Sequence, residues 1–435
     1  SVPAPLRAAL AEEAGRLARN LAAPQAGLSW MLRAQELVPE PGRARQALEL
    51  AWLAGDEVAE LLVAGHRSED IDLLAVSCHL ARGRYREALR WGRLASERLG
   101  LVLPEEVLPA QLRSDVEALL ERLDGRTPAS LAGLPQRPAE ALDRLLSGLA
   151  RAAFHLDPEL YSWLQLRIVD RSLELGQGPG SAQAWTWLGV LLASELGELG
   201  LGQEFGRLGL ELAYDASPGE RGHVLFTYGW HLAHWRSPIR DSVALLDEAT
   251  RACVDAGELQ LASFSHAASA LTSFAVGEPL DEVLKRCKQA LSFTRAALPA
   301  HDRTEPAVDV LLVLRQVVLA LQGRTRGPAE LDDHRFRLAE FYSRASLNRT
   351  SSALVEALRM LLYVHADQME QALGRARIID RSVLPATVLG AELQLYTALA
   401  YAAGGELEAL GVEVEVIRLR AHASPGNFRH ALSLV

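Results

Sequence analysis

Residues Gly83 to Ala95, G-R-Y-R-E-A-L-R-W-G-R-L-A, constrain the fold of this chain more than any other stretch. A glycine turn leads to an aromatic residue, Tyr85, and then to alanines at successive steps of three and seven, Ala88 and Ala95. A small residue, Ala75, stands ten positions before Tyr85. Alanine or glycine at each crossing lets two antiparallel helices approach near the short end of the usual ~8–10 Å range. The same offsets select Gly229, Ile239, Ser242 and Ala249, and again Ala270, Leu280, Val283 and Ala290, where a valine replaces the small residue. Looser echoes fall at Met369 and Ala372 and at Leu407 and Ala409. Helix pairs of this design cannot bury their apolar faces alone, so they stack on their neighbours.

Periodicity along the chain agrees. Nearly every segment of intermediate length carries apolar residues at i, i+3, i+4 and i+7. Prolines fall between these segments, at Pro24, Pro41, Pro104, Pro158, Pro218, Pro238, Pro279, Pro328 and Pro385. Proline is tolerated in a first helical turn and breaks an interior, so the pattern marks about sixteen helix starts. Val412 to Ile417, V-E-V-E-V-I, alternates like a strand, but it follows Gly404 and Gly405 after a helical segment and reads as the second helix of a pair. The expected fold is all-α: a helical-hairpin solenoid with degenerate repeats, its helices packed mainly on sequence neighbours.

Turn formers crowd Leu123 to Pro138, and a second break lies at Arg324 to Asp333. The expected organisation is a helical cap or the end of a preceding domain over 1–65, a first set of paired helices over 66–125, and the main solenoid over 138–435.

Composition excludes several classes of function. Hydrophobic residues make up 49% and charged residues 23%, as in an ordinary globular protein. A net charge of −10 argues against nonspecific nucleic-acid binding, which needs a clustered basic surface. A long uncharged run, Leu259 to Gly277, holds serines, Gln260 and His266, and suits a tightly packed helix better than lipid. The start of the chain, interrupted by Glu12 and Glu13, does not read as a signal peptide, and a cytoplasmic location is expected. Cys78, Cys253 and Cys287 fit no metal spacing and read as buried free thiols in a reducing compartment.

Familiar catalytic motifs are missing from the sequence. It contains no G-x-x-x-x-G-K-[ST] and no H-E-x-x-H, and its only lysines are Lys285 and Lys288. No cofactor and no catalysis are expected. The nearest thing to a site is Tyr228 to Arg236, Y-G-W-H-L-A-H-W-R. His231 and His234, three apart, have a spacing that can hold zinc if His223, Asp241 or a neighbouring helix supplies a third ligand; packing at a helix end is the simpler reading. Trp185 and Trp187 read as core, and Asp332 and Asp333 as helix-capping residues before Phe336.

With these segments in view, the chain resembles the tetratricopeptide-like helical region of a bacterial signalling family. Those proteins join a serine/threonine kinase-like domain, an AAA-type or STAND-type ATPase, a helical region, a GAF domain and often a sensor histidine kinase. The likeness rests on His234 to Ala249, Gly277 to Leu284, Leu311 to Thr325 and Asn427 to His430 (N-F-R-H), and it is good from about Ile71 onward. It carries no catalytic residue onto this chain. It implies a regulatory module that binds a protein, peptide segment or small effector and biases an attached ATPase and kinase. A small-molecule sensor of the kind found in ATP-dependent transcription activators is the alternative, and a metal-dependent helical-toroid enzyme a remote one. In arrays of this type the first helix of each pair lines an inner wall. Here those helices include Ala184–Ala193, His223–His234, Ser263–Ala275 and Gln394–Ala403, so Trp187, Tyr228, His231, His266 and Tyr396 become the candidate binding residues.

Overall fold

Helix starts follow the chain's punctuation. In the computed structural model, which describes residues 2–21, 23–54, 69–298, 306–345, 347–380, 384 and 386–435, Pro24, Pro41, Pro158 and Pro218 each open a helix, and Pro238 and Pro279 stand immediately before one. Side chains complete several of these starts. Asp157 accepts from the Leu160 amide at 2.9 Å, Asn348 from Ser351 at 2.8 Å and Thr387 from Gly390 at 3.0 Å. Each satisfies an amide with no partner inside its own helix. Pro104 and Pro328 lie in loops instead of at helix starts, because a fixed φ suits an extended loop as well as a first turn. Pro385 is outside the described residues.

Among the described residues there are twenty-two α-helices and no strand, only an isolated bridge between Gln136 and Gln177. The excess over the expected sixteen comes partly from short helices such as Pro128–Ala132 and Leu338–Arg344. They are too short to show a period. The alternating Val412–Ile417 stretch is helical, within Leu407–Ala423.

The chain divides into two compact units, Ser1–Leu119 with Leu134–Gly180, and Leu120–Gly133 with Ser181–Val435. Residues 138–180, grouped above with the main solenoid, therefore share a unit with the N-terminal helices.

In the first unit, α1 (Ala4–Asn20), α2 (Pro24–Leu37) and α3 (Pro41–Ala54) pack in sequence order, followed by α4 (Glu69–Ala81) and α5 (Tyr85–Arg98). α6 (Pro109–Leu123) runs across the boundary between the units, and α7 (Pro128–Ala132) belongs to the second. The first unit is completed by α8 (Ala141–Leu156) and α9 (Pro158–Leu175). The small residues are buried here: Gly83 takes a positive φ of 68° at the turn, and Ala75, Ala88 and Ala95 lie in the core. Gly92 marks the tightest crossing, where a Cβ would meet Leu149 of α8 at 2.1 Å.

The second unit continues with α10 (Ser181–Glu195), α11 (Leu199–Leu212), α12 (Pro218–His231), a 3₁₀ turn (Ala233–Trp235), α13 (Ile239–Asp255), α14 (Leu259–Ala275), α15 (Leu280–Ala297) and α16 (Pro306–Leu321). It ends with α17 (Leu338–Arg344), α18 (Arg349–His365), α19 (Met369–Ala376), α20 (Val388–Gly404), α21 (Leu407–Ala423) and α22 (Pro425–Leu434). Two layers emerge. The even-numbered helices α10 to α20 touch one another in succession as well as their hairpin partners. They are accordingly apolar on nearly all sides; α10, for example, is buried from Ser181 to Ala193 except at Trp187. Their partners α13, α15 and α21 bury only one stripe each. An all-round apolar helix belongs inside, and an amphipathic one outside.

Packing on sequence neighbours is only part of this unit. α14 also meets α20, and the end of the chain returns to the 3₁₀ turn. Asn427 Nδ2 donates to the carbonyls of His234 and Ser237, both at 2.7 Å, and its Oδ1 accepts from the Ile239 amide at 3.3 Å. Trp235 and Phe428 are centred 5.4 Å apart in the same cluster. A local repeat pattern says nothing about contacts across this sequence distance, which is why the return is not legible in it.

Candidate functional site

The five candidate residues occupy three kinds of environment. Tyr228 is core: its ring is buried in the cluster around Trp235, and its hydroxyl accepts from Gln203 Nε2 at 2.9 Å. Burial raises the Tyr228 phenol above its ordinary value. His266 is half-buried among residues of the outer helices, its ring centred 5.0 Å from Phe293 of α15. Burial lowers its pKa, with Asp247 of α13 and Arg286 of α15 acting on it in opposite directions. Tyr228 belongs to the buried cluster against which Trp187 packs, whereas His266 lies against Phe293.

Trp187 and His231 do come together. Their rings meet edge to face with centroids 5.8 Å apart, Trp187 on α10 and His231 at the last turn of α12. Both are half-buried, Trp187 within the otherwise buried stretch Ser181–Ala193 and His231 directly after the buried stretch Gly222–Trp230. Burial pulls the His231 imidazole down to about 3, and its Nδ1 has no hydrogen-bond partner. It is therefore neutral at pH 7.

Tyr396, on α20, lies 5.5 Å from the ring of His365. One turn earlier on the same face stands Glu392, which the sequence reading passed over. Glu392 is half-buried and makes neither a hydrogen bond nor an ion pair among the described residues. Burial lifts its carboxyl to about 7, and burial together with the Glu392 charge raises the Tyr396 phenol as well. Glu392 is the only charged residue from Val388 to Gly404, and that isolation was the available clue. Ala391, beside it, belongs to the buried cluster against which Trp187 packs. Helices α10, α12 and α20 thus all contribute residues to one buried cluster.

His234 behaves differently from His231. It is fully buried, 0% exposed, between Trp235 and Phe428, and neither ring nitrogen has a hydrogen-bond partner. The two histidines do not present a common face, because the helix ends at His231 and the 3₁₀ turn redirects the chain. His223 is held elsewhere, its Nε2 2.8 Å from Glu258 Oε2. Among the described residues no three His, Cys, Asp or Glu side chains converge as metal ligands would. Cys78, Cys253 and Cys287 are buried and unbridged, and burial pushes their thiols up to about 11, 12 and 12. Such thiols are poor nucleophiles at neutral pH. Asp332 and Asp333 serve the loop before α17, accepting from the amides of Leu338 at 2.9 Å and of Arg335 and Phe336 at 2.6 and 2.7 Å.

Among the described residues, no helix is long and apolar enough to cross a membrane. Comparison with known protein families finds no match, and comparison with curated proteins finds no relative.

Proposed function

We propose that the second unit is a non-catalytic regulatory module that holds a compact cationic group. That group is a small organic cation, or a lysine or arginine side chain of a partner segment, lodged between the Trp187–His231 and Glu392–Tyr396 pairs. The observation that carries this reading is the pattern of partial exposure. Away from the helix ends of α10 and α20 and at the last turn of α12, burial is interrupted at Trp187, His231, Glu392, Tyr396 and Leu399, and four of these five are aromatic or ionisable. A core has no use for an unpaired carboxyl, whose desolvation is costly unless a partner arrives. Aromatic faces beside a carboxylate suit an ammonium or guanidinium group. Ligand capture would then bias attached ATPase and kinase domains, as the family resemblance implies.

The test is a thermal-shift and calorimetric series on the full chain. Tetramethylammonium and arginine methyl ester should raise the melting temperature, while acetate and an uncharged isostere should not. Glu392→Gln should abolish the effect, and Trp187→Ala should weaken binding about tenfold, or 1.4 kcal/mol. Equal stabilisation by cations and neutral analogues, or retention of binding in Glu392→Gln, would overturn the reading.

A further inference from the structure

Helix α1 turns its small residues inward and its leucines outward. Ala8, Ala11 and Gly15 are buried against α2, where Gly15 and Gly27 allow a close crossing: a Cβ on either would come within 3.2 Å of the other's carbonyl oxygen. Ion pairs from α1 to α3 flank the buried side, Glu12 with Arg43 at 2.8 Å and Arg19 with Glu49 at 2.9 Å. On the opposite side Leu6, Leu10, Leu17 and Leu21 are 54%, 61%, 54% and 79% exposed. At 3.6 residues per turn these four fall within about 60° of arc, a single stripe along the helix. A folded protein has no local reason to bury alanines and expose leucines, and a contiguous apolar stripe of this kind marks an interaction surface.

The spacing identifies what fits it. A two-fold axis passing midway between Glu13 and Ala14 sets Leu6 of one copy against Leu21 of the other, and Leu10 against Leu17. The stripe is its own complement in the antiparallel sense, as an isologous interface requires. The charges agree. Glu13 and Arg16 lie on the same flank of the stripe near that axis, paired within one chain at 3.0 Å and both exposed. Antiparallel pairing brings the same flanks of the two helices together, so each Glu13 faces the Arg16 of the other copy.

We propose that α1 is a homodimerisation surface: two copies of this chain pair their α1 helices antiparallel, through Leu6, Leu10, Leu17 and Leu21, with reciprocal Glu13–Arg16 ion pairs at the centre. A helix of 17 residues offers a small interface, below the ~1,200 Å² of a standard one, so association is weak, with Kd on the order of 10–100 μM.

Sedimentation equilibrium of the full chain tests this, over roughly 1–300 μM to bracket that Kd. The weight-average mass should climb from the 47.3 kDa of one chain toward twice that value. The double variant Leu10→Glu/Leu17→Glu should stay monomeric throughout. It should also keep the wild-type melting profile at low concentration, since both side chains lie outside the core. Glu13→Arg should weaken association about tenfold, and adding Arg16→Glu should restore it, because only a reciprocal contact is repaired by swapping both charges. A wild-type chain that remains monomeric over the whole range overturns the proposal. A dimer indifferent to the leucine double variant overturns it too, and that result would place self-association on another surface. A charge swap without rescue would refute the antiparallel register.

Discussion

Two buried ionisable sites, one in each unit, are handled in opposite ways. In the first, Asp143 is 3% exposed yet fully served: Arg137 approaches both of its oxygens, Arg171 Nε donates to Oδ1 at 2.7 Å, and the Glu140 amide donates to Oδ2 at 3.0 Å. Burial alone would raise this carboxyl, but the two arginines outweigh it and hold it far below the usual carboxylate range. In the second unit, the half-buried Glu392 and the fully buried His234 have no such partners among the described residues. A carboxylate supplied with every donor it can use is a structural pin. One enclosed without any is a cost to the fold, and it is the more informative residue about function.

Removing a pin should produce the largest effect. Arg137→Ala leaves Asp143 buried with half of its charge compensation, and loss of about 3–5 kcal/mol is the usual consequence of breaking such a group. Global melting is a blunt readout for a chain of two units. Hydrogen exchange of the α8 and α9 amides should rise, with the second unit unaffected. Unchanged protection in α8 would mean that Arg171 alone suffices.

The unpaired groups predict opposite pH behaviour. Glu392 has its carboxyl raised to about 7 in the folded chain, from an ordinary value of 4.5. Between these values the folded state binds more protons than the unfolded one, so this residue's contribution to stability falls as pH rises. Above pH 7 its ionisation costs the fold up to about 3 kcal/mol. Glu392→Gln should therefore stabilise the second unit at pH 8 and change little at pH 4. A stability gain that is the same at both values would show that the carboxyl is solvated.

His234 works the other way. Burial, with Arg420 and His231 adding to it, lowers its imidazole to about 3 from 6.5. Between those values the unfolded chain holds the extra proton, so stability is complete above about pH 6.5 and is lost as pH falls. At pH 5 the loss from this one residue is about 2 kcal/mol, and His234→Phe should flatten the slope. An acid-unfolding curve with the same slope in that variant would assign the loss to other groups.

Much of the fold was legible in the sequence because it is local. The offsets around Tyr85 select Ala88 and Ala95, which are buried, and those around Ile239 and Leu280 select Ser242, Ala249, Val283 and Ala290, buried as well. The looser echo at Leu407 misses: that side chain is exposed, because a single apolar match in an Ala- and Leu-rich chain carries little information. The site was less legible. Period alone cannot say whether an aromatic on an inner helix points into the core, as Tyr228 does, or stops half-exposed, as Trp187 does. Glu392 was visible as a lone charge in an apolar helix, but its isolation from any basic partner depends on helices far away in sequence.

The smallest predicted effect concerns the contact that returns the end of the chain to the 3₁₀ turn. Asn427 is the satisfied counterpart of the unpaired His234 ring: it serves the His234 carbonyl, the Ser237 carbonyl and the Ile239 amide with one side chain. Asn427→Ala strips all three at once. Because Asn427 is only half-buried, water can replace part of what is lost, and the cost should be about 1–2 kcal/mol rather than the full penalty for three orphaned groups. The effect should also be local. Exchange of the Ile239 amide should accelerate, and the unpaired His234 should titrate at higher pH as the cover of α22 loosens. Protection of α13 beyond its first turn should be unchanged. If all of α13 to α16 loosened together, the return of α22 would be holding the whole inner layer closed, and the contrast between pinned and unpinned residues would have to be redrawn around Asn427 instead of Glu392.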